Sequence, residues 1–168
     1  MKSNFETNTG LRFISKAETA FKIHIHTPED KILHRSVGYI RIGEKKGLKK
    51  AIRLRNEIGI KLWGKKLWKR VLNEPELFTR LPHSLEPKLI EKNAPIKSDP
   101  RRKKLHYLAK WYVYGDDGSL STKTTVVSVE KYGKLGAYNK AKRKLTEVYK
   151  NEIEILSYMD RFSITLAK

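Results

Sequence analysis

Ser36–Glu57 reads SVGYIRIGEKKGLKKAIRLRNE, and a version of it returns 90 residues later as Val126–Glu147, VVSVEKYGKLGAYNKAKRKLTE. Val37, Gly43, Lys50, Ala51, Arg53 and Glu57 match Val127, Gly133, Lys140, Ala141, Arg143 and Glu147. Each copy reads as the end of a β-strand, a glycine break, then an amphipathic helix with basic residues on its outer face. An internal repeat at this spacing implies one supersecondary unit used twice. The expected fold class is α+β: two tandem modules, each a three-stranded antiparallel sheet with one helix packed across it, joined by a Pro-rich linker.

Working outward from the first copy, Ala20–His26 (AFKIHIH) alternates. Phe21, Ile23 and Ile25 face one way, and Lys22, His24 and His26 the other. A turn at Thr27–Asp30 leads to a strand expected over 31–42, and Leu11–Lys16 supplies a short first strand. After Gly43, the residues Leu48, Ala51, Ile52, Arg55 and Ile58 recur at helical spacing. Gly59 is expected to end or kink that helix, and 60–73 turns helical again. The second copy is preceded by His106–Tyr114 (HYLAKWYVY), a hairpin turn at Gly115–Gly118, and a returning strand over 120–129. Between the copies, residues 74–100 carry five of the six prolines. That composition predicts a linker with at most short helical turns, so that the domains are 1–73, 74–100 and 101–168. The second module then lacks a clear first strand, for which only 101–105 is at hand. The N-terminal residues 1–9 are polar and expected to be loose. Residues 161–166 (RFSITL) are expected to be a last strand or a tail.

Charge bounds the function. Lys plus Arg number 37 against 18 Asp plus Glu, a net charge of +19 on 168 residues spread along the chain. Such a chain repels itself unless a polyanion is its partner. There is no cysteine, which excludes disulfides, thiol nucleophiles and thiolate zinc sites. The first ten residues lack the apolar core of a secretory signal, and no apolar run approaches the ~20 residues that span a bilayer. The expected setting is cytoplasmic, associated with the nucleoid of a bacterial or phage-infected cell.

The run Ser128–Gly133 followed by Ala137 and Ala141 resembles the Apetala-type, or ethylene-response-factor-type, DNA-binding domain. So does Val37–Gly43 followed by Ala51, and Ile52–Gly64 (IRLRNEIGIKLWG) looks like the helix of phage versions of that family. Relatives of this type accompany homing-endonuclease domains and form integrase arm-binding domains. The resemblance implies a three-stranded sheet lying in the DNA major groove with one helix across its back. It also implies descent from the DNA-recognition half of a mobile endonuclease.

On that reading the solvent-facing side chains of the sheets carry the contacts. In the first module these are Arg12, Lys16, Lys22, His24, His26, His34 and Arg35. In the second they are His106, Lys110, Tyr112, Tyr114, Thr122, Lys123 and Thr124, with Arg101 and Arg102 from the basic run before them. The plain alternative is a polar exposed sheet face, but the middle strands show no acidic residue on that side. His24, His26 and His34 lack a cysteine or spaced carboxylate to complete a metal site, so no metal or cofactor is expected. Trp63, Trp68 and Trp111 lie in apolar stripes and read as core rather than as base-stacking platforms.

No catalytic residues are assigned. The acids are scattered, and Tyr39–Gly43 has only a faint likeness to a GIY-YIG nuclease fragment. The leading expectation is a sequence-specific binder of double-stranded DNA acting as a repressor or other regulator, and not an enzyme. A small homing-type nuclease is the first alternative, and an RNA-binding or ribosome-associated protein the second. A homodimer would carry four modules and suit a palindromic or repeated site.

Overall fold

The computed structural model describes residues 7–163. The chain divides into two compact units, Met1–Thr79 and Arg80–Lys168. Each contains a three-stranded antiparallel sheet and a helix packed on one of its faces.

In the first unit the strands are β1 (Ile14–Lys16), β2 (Ala20–His26) and β3 (Ile32–Gly38), in spatial order β1-β2-β3. Alternation in β2 places Phe21, Ile23 and Ile25 in the core, where they meet Ile14 and Val37. Helix α1 (Glu44–Asn73) crosses behind them and buries Gly47, Ala51, Arg55 and Gly59, one residue every four. Small residues are needed there. A Cβ on Gly47 would lie 2.5 Å from the Tyr39 Cβ, and one on Gly59 would lie 2.2 Å from the Trp68 ring. Gly59 therefore neither ends nor kinks the helix, contrary to expectation; it admits Trp68. The break falls at Gly64, with φ 70° and ψ 159°. Beyond it Trp68 stacks on Phe13, and before it Trp63 donates to the His26 carbonyl at 2.8 Å.

The expected strand over 31–42 stops at Gly38. Tyr39–Ile42 instead makes one tight turn closed by Gly43 N–H to the Tyr39 carbonyl, 2.8 Å. Of the loose N-terminal tail, positions 1–6 lie outside the described residues. Asn8 is tied down: it exchanges hydrogen bonds of 2.7 and 2.8 Å with the Lys16 backbone.

In the second unit the strands are β4 (Lys88–Asn93), β5 (Lys103–Tyr114) and β6 (Leu120–Ser128), in order β4-β5-β6. Strand β4 corrects the linker reading. The missing first strand lies inside the Pro-rich stretch, between Pro87 and Pro95, and pairs from Lys88↔Leu108 to Asn93↔Lys103. Prolines bound this edge strand rather than exclude it. The expected source, 101–105, instead leads into β5. The segment just before β4 is also held, since Leu85 N–H donates to the Arg161 carbonyl and the Arg161 guanidinium to the Pro82 carbonyl. A short helix, α2 (Leu77–Arg80), precedes that segment.

Helix α3 (Val129–Val148) repeats the device of α1. Its first turn is capped by Ser128, whose Oγ accepts the Lys131 N–H at 3.3 Å. Gly133 then breaks it with φ 70° and ψ 165°, beside φ 83° and ψ 150° at Gly43. Ala137, Ala141 and Leu145 are buried where α1 has Gly47, Ala51 and Arg55. They pack on the β5 face that carries Tyr107, Ala109 and Trp111. A last helix, α4 (Ile153–Tyr158), buries Ile155 and Leu156. In the RFSITL segment, 161–163 carry no strand and 164–166 lie outside the described residues.

Candidate nucleic-acid interface

Strand pairing decides which side chains share the face turned away from each helix. In the second unit, β5 residues alternate about the buried Tyr107, Ala109 and Trp111. His106, Leu108, Lys110, Tyr112 and Tyr114 therefore point outward. Directly opposite on β6 lie Ser128, Val126, Thr124, Thr122 and Leu120. On β4, the partners of His106, Leu108 and Lys104 are Ile90, Lys88 and Lys92. The outer face thus carries Lys88, Lys92, Lys104 and Lys110 and an aromatic and hydroxyl cluster of Tyr112, Tyr114, Thr122 and Thr124, and its strands contribute no carboxylate to it, although Glu130 of α3 reaches Lys104. Lys110 Nζ sits 5.4 Å from the Tyr112 ring centroid. Leu108 and Val126 are half-buried, which dries the middle of the face.

Several expected residues fall elsewhere. Lys123 pairs with Trp111, so it lies on the helix side of the sheet. Arg102 and Lys104 both engage Glu130, at 3.2 and 2.5 Å. The Lys104 hydrogen bond is the main influence on Glu130, and the charges of Lys104 and Arg102 add to it against a smaller desolvation effect. They hold the carboxyl below its ordinary value. Arg101 is exposed in the turn before β5, its N–H donating to Asp99. His106 is half-buried, with Nδ1 3.1 Å from the Lys104 carbonyl.

In the first unit the structure brings together Lys22, His24 and His34, which with Arg35 and Ser36 line one shallow depression. His24 and His34 are direct cross-strand partners with Nδ1 atoms 2.7 Å apart. Burial and the charges of His34 and Lys22 push His24 below its ordinary value. Arg35 pairs with Ile23, so its backbone directs it to the helix side, although it is exposed and its guanidinium donates to the His34 carbonyl at 2.8 Å. His26 stacks on Phe78 at 4.2 Å and bonds Asp30.

Arg12 and Lys16 lie apart from this outward set. Lys16 pairs with Phe21 on the helix side and makes a 2.8 Å ion pair with Glu44 in the first turn of α1. Arg12 is half-buried over the Phe13 ring. Desolvation lowers its pKa to about 10, with Glu74 pulling the other way. Arg12 packs within the first unit, and Lys16 ties β1 to α1 through an exposed ion pair.

Sequence reasoning missed Lys88, Lys92 and Lys104. The signal was KLIEK between two prolines, a strand-length segment read as linker because its apolar pair is adjacent rather than alternating. Among the described residues, no group of three or more His, Cys, Asp or Glu gathers to hold a metal, and no helix is long and apolar enough to cross a membrane.

Comparison with protein-family models, with curated proteins and with solved structures finds no match.

Proposed function

We infer that the chain is a sequence-specific double-stranded DNA-binding protein acting as a regulator, most simply a repressor that occupies its site. The outer face of the second sheet carries this reading: four lysines, of which Lys104 is held by Glu130, with two tyrosines and two threonines on three strands and no acid of those strands in outward register. Three strands at ~4.8 Å spacing make a ribbon about 10 Å across, close to the ~12 Å width of the major groove. Lysine can reach guanine O6 and N7 or phosphate. Threonine and tyrosine can bond phosphate or touch a thymine methyl. The first sheet, with Lys22 and the paired His24 and His34, presents a sparser face that suits a supporting grip. Two units on one chain raise each other's effective concentration at a shared site. The likeness of both strand–glycine–helix runs to the Apetala type agrees with this reading.

The test is selection from a random duplex pool near physiological salt with magnesium present. An enriched motif in intact DNA supports the proposal. Enrichment with cut strands would put a nuclease in its place. Absence of enrichment, with enrichment in a parallel RNA pool, would replace it with an RNA-binding function.

A further inference from the structure

We propose that the outward face of α1 is a second phosphate-binding surface, so that the first unit holds one duplex on its sheet and another on its helix. The inference rests on the reading of the chain as a DNA binder and adds bridging of two duplexes to it.

Lys45, Lys49 and Arg53 are spaced four apart, and Lys46 and Lys50 flank them. At 3.6 residues per turn all five fall on the side away from the buried Gly47, Ala51, Arg55 and Gly59. They are exposed and span about 12 Å of helix, at ~1.5 Å per residue. Of the nearby acids, Glu44 is engaged by Lys16, and Glu57 pairs with Arg53 at 2.7 Å, which leaves the four lysines unneutralised. Lys45, Lys46, Lys49 and Lys50 make no ion pair among the described residues. Because α1 packs on the face of the sheet opposite to Lys22, His24 and His34, the two charged surfaces point in opposite directions.

The second copy shows that the scaffold does not demand this charge. At the matching positions α3 has Leu135, Gly136, Asn139, Lys140 and Arg143. The same helix-on-sheet packing is built there with three of the five cations absent. What the extra lysines add is a dense row of unpaired positive charge on a rigid rod. Its complement is the evenly spaced phosphate backbone of a duplex.

The test uses the full chain, one duplex fixed on beads and a second, labelled duplex in solution. The variant is Lys45→Gln/Lys46→Gln/Lys49→Gln/Lys50→Gln, all exposed and all replaced by a good helix former. The wild type should capture the labelled duplex on the beads. The variant should lose that capture by about 10-fold or more, and the salt dependence of capture should flatten by up to ~3.6 in log–log slope. Its affinity for a single duplex should stay within about twofold of wild type. Undiminished capture by the variant overturns the proposal. So does single-duplex affinity falling in step with capture, since the helix would then be part of the first site. Wild-type binding to one duplex without capture of the second overturns bridging alone. No binding to either duplex overturns the DNA reading itself.

Discussion

Gly43 and Gly133 turn the chain from the last strand of each sheet into the helix that covers it, and alanine at either position isolates the strength of that device. Their φ and ψ, 83° and 150° against 70° and 165°, fall where a side chain is strongly disfavoured. A Cβ at either position would meet nothing within 4 Å, so no steric repacking enters and the cost is backbone strain alone. Such strain runs about 1–3 kcal/mol, and alanine returns about 0.4–1 kcal/mol by stiffening the unfolded chain. The net loss for Gly133→Ala is then about 1–2 kcal/mol, confined to the second unit. Gly43→Ala should cost the same, confined to the first. For units of this size, each kcal/mol lowers the midpoint by about 4–8 °C. Amide hydrogen exchange read by mass spectrometry reports the units separately through β2 and β5. A loss under about 0.3 kcal/mol at both sites would refute the reasoning, because the backbone would have relaxed out of the glycine conformation. So would a loss shared equally by both units.

Other outcomes follow from particular contacts. Gly59→Ala gains about 1 kcal/mol of helix propensity but drives a methyl into the buried Trp68 ring, so urea unfolding should show a net loss of about 1–2 kcal/mol. Lys142 is buried, with its Nζ 2.7 Å from Glu86 and 3.2 Å from the Tyr138 hydroxyl, which also bonds Glu86. Glu86→Ala should therefore destabilise the second unit by about 2 kcal/mol or more, and Lys142→Met by less, because Glu86 is half-exposed and can be hydrated. Burial opposes ionisation of Glu86, but hydrogen bonds from Lys142 and Tyr138 outweigh it and hold the carboxyl below its ordinary value. Its contribution is thus fully present above the ordinary carboxylate pKa and fades as pH falls through the depressed one, a slope that acid titration of stability should lose in Glu86→Ala. Lys110→Ala should weaken duplex binding and reduce the salt slope by about 0.9, whereas Lys16→Ala should leave the slope unchanged; equal effects in a binding titration would misplace the interface.

Much of this architecture is legible in the residues. The repeat of Val37–Glu57 in Val127–Glu147 predicts one unit used twice, and both copies place their glycine at positive φ ahead of the helical turns that pack on the sheet. Alternation in AFKIHIH and HYLAKWYVY identifies the middle strands and their buried faces. The apolar settings of Trp63, Trp68 and Trp111 predict burial, and all three are buried. Alternation also carries information that a plain tally of basic residues discards. Lys16 shares parity with the buried Ile14, Arg35 with Val37, and Lys123 with Val127, which separates them from the outward set.

What local pattern settles is which residues alternate, where the chain must bend and how often the motif recurs. Those are properties of φ, ψ and side chains a few residues apart. The three-dimensional structure alone settles the rest. KLIEKN becomes a strand because β5 offers it an unpaired edge, a non-local partner across the turn that joins them. Gly59 sits inside the helix without a side chain because the Trp68 ring occupies that space. Arg12 is desolvated because the fold half-buries it over the Phe13 ring, with Glu74 pulling the other way. Each outcome depends on non-local pairing and packing, whose energies exceed local propensity and are visible only once the chain has closed on itself.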